Sequence, residues 1–227
     1  MKKAKGMLFV IEGTDGSGKE TQSNILKERL EKEGIDFKTA KFPRYEKDSS
    51  SLVKMYLGGE FGTNPKAISP YVASTFYAAD RYAAFKTEFE EYYNNGGILI
   101  FDRYTTANFV HQAGKIDDIE ERDKFLNWLE DFEFNMYGLP RPTKVIFLNM
   151  PVETSLELTK NRENKINGST KKDIHENDKN HLIDAHNAAC YVSEKYNWSE
   201  INCAPNGKLR TIEDISNEIY TIVKKYL

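Results

Sequence analysis

The sequence predicts an α/β fold, a five-stranded parallel sheet covered by helices on both faces, on three observations. Short, almost wholly apolar runs alternate along the chain with long amphipathic stretches. Strands that read as continuous apolar runs, rather than alternating ones, belong to sheets buried on both sides. The chain of 227 residues is long enough for one such domain with a full core and too short to expect a second, unrelated one.

Taken in order, LFVI (Leu8–Ile11) is the first strand, and Lys19–Glu33 follows it with helical periodicity. The run that ends at Phe42 is the second strand. Ser69–Asn94 is a long helical stretch, opened by a capping hydroxyl at Ser69 and by Pro70 in the first helical position. ILIF (Ile98–Phe101) is the third strand, Asp118–Tyr137 a helix, and VIFL (Val145–Leu148) the fourth strand. Helical patterns at Val152–Arg162 and Asp178–Tyr196 come next, then a weaker strand at Trp198–Cys203. The last helix, Thr211–Tyr226, starts on a capping-box-like Thr211 and Asp214. No repeat or long linker interrupts this order. The polar, glycine-containing segment at 161–180 (NRENKINGSTKKDIHENDKN) reads as a mobile excursion rather than a domain boundary.

Composition narrows the function classes. With a formal net charge of −3 and both signs spread along the chain, a nucleic-acid binder, whose phosphate-neutralising face makes a domain basic, is not expected. The two cysteines, Cys190 and Cys203, form neither a CxxC pair nor a His/Cys cluster at metal-ligand spacing, which points to a reducing compartment. The N-terminal apolar stretch, Met7 to Ile11, is too short for a signal peptide's core or a membrane span. The expectation is a cytoplasmic protein with no membrane partner.

The strongest local signal is Gly13-Thr14-Asp15-Gly16-Ser17-Gly18-Lys19, between the first strand and the first helix. Glycines let the backbone wrap phosphate oxygens, the helix start offers unpaired N–H groups and a positive dipole end, and Lys19 reaches the β- and γ-phosphates. This is the phosphate loop of a P-loop NTPase fold. The position after the lysine, where Ser or Thr holds Mg²⁺, carries Glu20, followed by Thr21. Glu20 can meet the metal directly or through water, or the metal can rest on phosphates and other carboxylates. A chain that binds nucleotide without turning it over is the other reading of that departure.

Three further segments, FPRY (Phe42–Tyr45), FYAADR (Phe76–Arg81) and DRYTTANFVHQ (Asp102–Gln112), together with the phosphate loop, resemble the thymidylate kinase family over nearly the whole chain. GLPRPTKVIFLNMPVETSLE (Gly138–Glu157) is similar to the family's stretch around its fourth strand, with LNMP in place of a more usual LDVP. The resemblance implies phosphoryl transfer from ATP, with Mg²⁺, to dTMP. It also implies a homodimer whose interface candidates are the long aromatic helices, a single kinase domain over residues 1–227, and an acceptor region at about 42–112.

Each matched side chain has a physical use. Arg44 and Arg103 are forked cations that suit an acceptor phosphate, with a structural ion pair as the competing reading. Asp102, a carboxylate ending an apolar strand, matches a Walker-B-like group near the metal, or else pairs with Arg103. Tyr77 and Arg81 lie four apart on one helix face, and the family stacks a ring and reads a base carbonyl there, with plain core packing on this aromatic helix as the competing reading of Tyr77. Asn108 matches a reader of the base edge, Asp15 a carboxylate meeting the 3′-hydroxyl, and Phe42 belongs to the acceptor-binding FPRY segment. His111 stands where many members pack Tyr or Phe on the deoxyribose, and Ala107 where Ser is common.

An acceptor that is already an anionic phosphate needs no strong general base, so alignment and charge neutralisation carry the rate. Some members place an arginine within the phosphate loop, and the matching position here is Gly16. The cation then comes from a lid at 161–180, Arg162 first and Lys165 second, while Lys171 and Lys172 read as solvated. A kinase for another deoxynucleotide or a deoxynucleoside is the alternative acceptor reading.

Overall fold

The computed structural model describes residues 5–159 and 179–227. Five strands form one parallel sheet: β1 (Met7–Glu12), β2 (Lys38–Lys41), β3 (Ile98–Asp102), β4 (Lys144–Asn149) and β5 (Ser199–Asn202), in the order β2-β3-β1-β4-β5. The central β1 is in register with β3 from Met7 opposite Ile98 to Ile11 opposite Asp102. Its other edge pairs with β4. β1 is therefore buried on both faces, and alternation sends its side chains into two different cores. Phe9 and Ile11 pack with Leu26 and Leu30 of α1 (Lys19–Lys32) and with Ile219 and Val223 of the C-terminal helix. Leu8 and Val10 face the opposite cluster with Phe85, Phe89, Leu99 and Phe101. This is why the strand reads as a run of apolar residues.

The remaining helices are α2 (Ser51–Leu57), α3 (Pro70–Ala84), α4 (Glu90–Asn94), α5 (Thr106–His111), α6 (Ile119–Glu130), α7 (Val152–Thr159), α8 (Lys179–Lys195) and α9 (Ile212–Lys224). Ser69 caps α3 by accepting from the Val72 amide at 3.3 Å, and Thr211 caps α9 through the Asp214 amide at 3.1 Å. The short α2 and α5, of 7 and 6 residues, were not expected, because their periodicity spans too few residues to register.

The long stretch expected at Ser69–Asn94 is α3 and α4 joined by a π-helical turn at Phe85–Phe89. Side chains four apart drift around an ordinary helix, and the wider π turn keeps Phe85, Phe89 and Tyr93 on the sheet side. A second π turn, Asp131–Met136, extends α6 and carries Glu133 inward beside Phe132. Of the excursion expected at 161–180, Lys179 and Asn180 begin α8, while residues 161–178, with Arg162, Lys165, Lys171 and Lys172, lie outside the described residues. Among the described residues, no helix is long and apolar enough to cross a membrane.

Leu30, fully buried between α1 and the sheet, tests the first core. Leu30→Ala is expected to lower unfolding stability by about 2–5 kcal/mol, measured as a drop in urea midpoint at unchanged m-value.

Candidate active site

β1 and β3 are neighbours whose carboxyl ends open on the same side, and a cleft of about 720 Å³ lies there. Its floor is the loop after β1, with Asp15, Gly16, Gly18 and Lys19. Phe42, Pro43 and Tyr45 after β2 form one wall, and Tyr77 and Arg81 of α3 another. Asp102 and Arg103 at the end of β3, with Asn108 and His111 of α5, complete it. Gly13, Thr14 and Ser17 lie behind this lining, and Thr21 is part of it.

Gly16 and Gly18 both hold left-handed backbone angles, φ 79° and 85°. A side chain at Gly16 would collide with Ser155, whose Cβ-to-Oγ approach would be 2.5 Å. The Ser155 hydroxyl donates to the Asp15 carbonyl and ties α7 to the loop. Lys19 Nζ donates to the carbonyls of Gly13, at 2.8 Å, and Thr14, at 2.7 Å. Its ammonium thus stands across the loop at the start of α1. Glu20 turns to Lys41, with Oε2 accepting from Nζ at 3.0 Å, and both side chains are about half exposed.

Arg103 organises the centre. It adopts a left-handed backbone, φ 64°, and its amide donates to the Ile11 carbonyl at 3.1 Å, clamping β3 to β1. Its guanidinium donates to Asp15 Oδ1 at 2.9 Å, to Glu12 Oε1 at 3.3 Å and to His111 Nε2 at 2.7 Å. Burial works against the charge, but the carboxylates of Asp15 and Glu12 outweigh it and hold its pKa above the usual arginine value. Because His111 accepts at Nε2, its proton sits on Nδ1. Burial and the Arg103 charge push its pKa well below the usual 6.5, so the ring is neutral. Glu12, fully buried, also accepts from the Gly13 amide and from the Thr106 hydroxyl at 2.6 Å. Sequence reasoning passed over Glu12, although a carboxylate directly after an apolar strand was the available signal.

The far wall is a buried polar cluster. Arg81 donates Nε to Glu133 Oε2 at 2.8 Å and Nη2 to Glu133 Oε1, and Asn108 Nδ2 donates to Glu133 Oε1 at 3.0 Å and to the Ser74 carbonyl at 3.2 Å. Arg81, Asn108 and Glu133 are each at most 1% exposed. Tyr77 lies edge-on to Tyr56, 6.3 Å between ring centroids, and Lys115 donates to the Tyr56 hydroxyl at 2.7 Å. Phe42 packs edge-on against Phe101.

Arg44 is not brought to the cleft. Asp80, fully buried in α3, accepts from its Nε at 3.1 Å and its amide at 2.9 Å, and Glu88 accepts from Nη1 at 2.6 Å. Arg44, expected as a phosphate ligand, thus bonds two acids outside the cleft lining, whereas Arg103, also bonded to two acids, is part of that lining.

Among the described residues, no group of three or more His, Cys, Asp or Glu is placed to hold a metal. Mg²⁺ keeps several waters and takes one or two carboxylates beside substrate phosphates. Asp102, 7% exposed in the cleft, makes no side-chain hydrogen bond among the described residues and fits that use.

The family model described as thymidylate kinase matches residues 11–205. The chain belongs to the thymidylate kinase family. A thymidylate kinase of Mycobacterium tuberculosis is 31% identical over 157 residues, 69% of this chain and 72% of its own length. A probable thymidylate kinase of Pyrococcus horikoshii is 29% identical over 98% of both chains. The solved structure of the Candida albicans thymidylate kinase superposes with a TM-score of 0.70 at 22% identity, covering 98% of this chain and 92% of that one, a likeness of fold. As a thymidylate kinase family member the protein is a phosphotransferase with ATP as its donor, and dTMP phosphorylation is the activity this membership supports.

Lys115 gives the wall a measurable property. Burial lowers its pKa from 10.5 to about 7. Between those values the unfolded chain binds more proton than the folded one, so this group makes stability rise with pH across the window, by up to about 1.4 kcal/mol per unit. Lys115→Met is expected to lose that slope: urea midpoints at pH 7, 8, 9 and 10 should show the parent gaining on the variant as pH rises.

Proposed function

We infer that this chain transfers the γ-phosphoryl group of ATP to dTMP, giving dTDP and ADP, as one kinase domain over residues 1–227. The observation that carries the reading is the junction of the phosphate loop with Arg103 through Asp15, at 2.9 Å. In this reading the loop cradles the donor's phosphates and the neighbouring forked cation takes the acceptor's phosphate. No general base is required, since the attacking oxygen is already anionic, and the chain's task is to align the two phosphates.

Lys19 and the α1 amides bind the donor phosphates, and Lys19 follows the charge that develops on the transferring group. Arg103 holds the acceptor phosphate. Asp15 orients a sugar hydroxyl, Tyr77 stacks on the base, Phe42 lines the same cleft, Arg81 and Asn108 read the base edge, and neutral His111 packs beside the sugar. Asp102, together with ATP, would hold Mg²⁺, which would supply charge neutralisation on the phosphoryl oxygens. Glu20, whose charge Lys41 already matches, would be a further carboxylate available to the metal. Arg162, outside the described residues, is the second cation of the reading. Arg44 serves from behind, holding the turn after β2 against α3.

A homodimer through the α3 side is part of the same reading, supported by the exposed Val72, Tyr82 and Met136 on α3 and at the end of the α6 extension. Free thiols at Cys190 and Cys203 agree with a cytoplasmic setting.

Purified protein incubated with ATP, Mg²⁺ and dTMP, dUMP, dCMP or thymidine, followed by chromatography, tests the reading. Conversion of dTMP to dTDP is expected, with Lys19→Met lowering kcat by about 10²–10³-fold and Arg103→Met raising the KM for dTMP. Phosphorylation of thymidine in preference to dTMP, or no turnover of any acceptor, overturns it.

A further inference from the structure

The buried acid behind the cleft decides which face of Asn108 a ligand meets. The amide nitrogen of Asn108 points at two groups, the Ser74 carbonyl at 3.2 Å and Glu133 Oε1 at 3.0 Å. Both accept and neither donates, so the amide cannot flip without setting its oxygen against two oxygens. Both Nδ2 hydrogens are then used. Asn108 Oδ1, which takes no protein partner among the described residues, is what the side chain presents. The same carboxylate takes Nε and Nη2 of Arg81, and Nη1 takes no protein partner there. Arg81 and Asn108 line the cleft, whereas Glu133 does not.

We propose that Glu133 is a positioning residue that sets pyrimidine selectivity, by fixing one acceptor, Asn108 Oδ1, beside one donor, Arg81 Nη1. The edge complementary to that pair carries an N–H donor next to a carbonyl acceptor. Thymine and uracil offer it, as the ring N3–H and O4. Cytosine offers the reverse, an acceptor ring nitrogen beside an amino donor, and would face acceptor against acceptor and donor against donor. A site whose polar groups are left unmatched rejects the wrong ligand far more strongly than one lacking a mere apolar contact. Glu133 never touches the base. It acts because a carboxylate can only accept, and because it is sealed from water that might satisfy the amide in its other orientation.

The inference rests on the acceptor reading above, and its test separates the two. The ratio of kcat/KM for dTMP to that for dCMP is measured on the full chain and on the variants Glu133→Gln and Glu133→Asp. Gln adds a donor beside Asn108, lets the amide turn, and is expected to lower the ratio by about tenfold or more. Asp keeps an acceptor-only group and is expected to keep the ratio within about threefold, with a raised KM for dTMP. Assays run at 10 °C with saturating ATP hold a weakened variant in its folded form.

Parallel losses on dTMP and dCMP in the Gln variant, with the ratio unchanged, make Glu133 merely structural and overturn the proposal. So does an unmodified protein that turns over dCMP as readily as dTMP, a result needing no variant. If the unmodified protein phosphorylates neither, the acceptor reading has failed instead. Isothermal titration of dTMP and dCMP into each protein then decides the Glu133 inference by the same ratio.

Discussion

The guanidinium of Arg103 is the constraint on which the rest of the cleft depends. β1 and β3 are adjacent parallel strands, and each ends in a carboxylate, Glu12 and Asp102, with Asp15 a few residues beyond the first. Three like charges converging at two strand ends would drive those ends apart. Arg103 answers by turning into a left-handed conformation that few non-glycine residues adopt, which brings its side chain back over the end of β1. The backbone bond to Ile11 and the side-chain bonds to Glu12 and Asp15 then act on the same few residues. A buried charge that loses its partner costs about 3–5 kcal/mol, so Glu12 and Arg103 are fixed by each other. The phosphate loop inherits that fixity, since it springs from Glu12.

A second pair of buried ions positions the opposite wall, and both start from neighbouring residues of α3. Asp80 and Arg81 are adjacent in sequence, and adjacent helical residues point about 100° apart, so one helix serves two directions. Asp80 reaches the turn after β2 through Arg44, while Arg81 reaches the α6 extension through Glu133. α3 is thereby locked in rotation about its own axis. Tyr77, one turn earlier, gains its direction from that lock and from Tyr56, whose hydroxyl accepts from Lys115 Nζ.

What the sequence made legible is local. Leu8–Ile11, Ile98–Phe101 and Val145–Leu148 could be read as strands because burial on both faces leaves an uninterrupted apolar run. The phosphate loop and the residues around Arg103 could be read because their chemistry lies within a few positions. The ion pairs that orient the cleft lie far apart along the chain. Arg81 and Glu133 are separated by 52 positions and Arg103 and Glu12 by 91, and nothing in a linear pattern marks which acid serves which base. Arg44 shows the converse difficulty: its residue type suits a phosphate, and only the fold reveals that Asp80 has claimed it. The π turns were hidden for another reason. One extra residue per turn shifts a helical face without changing the apolar composition that periodicity counts.

The charges lining the cleft explain how Glu20 is tolerated where a hydroxyl is usual. The acidic side chains there are Asp15, Glu20, Asp102 and Glu157, and the basic ones are Lys19, Lys41, Arg81 and Arg103, so the described lining is electrically balanced. Glu20 does not disturb that balance, because Lys41 stands against it at the end of the edge strand and both face water, where an ion pair alters little. A balanced cleft is nevertheless a poor host for two phosphorylated ligands at once. Two phosphorylated ligands bring negative charge that a balanced lining does not offset, so a countercharge bound to the donor's phosphates would suit such a cleft. Glu20, matched by Lys41, therefore adds no net charge to the lining, and the departure from a hydroxyl at that position is compatible with catalysis.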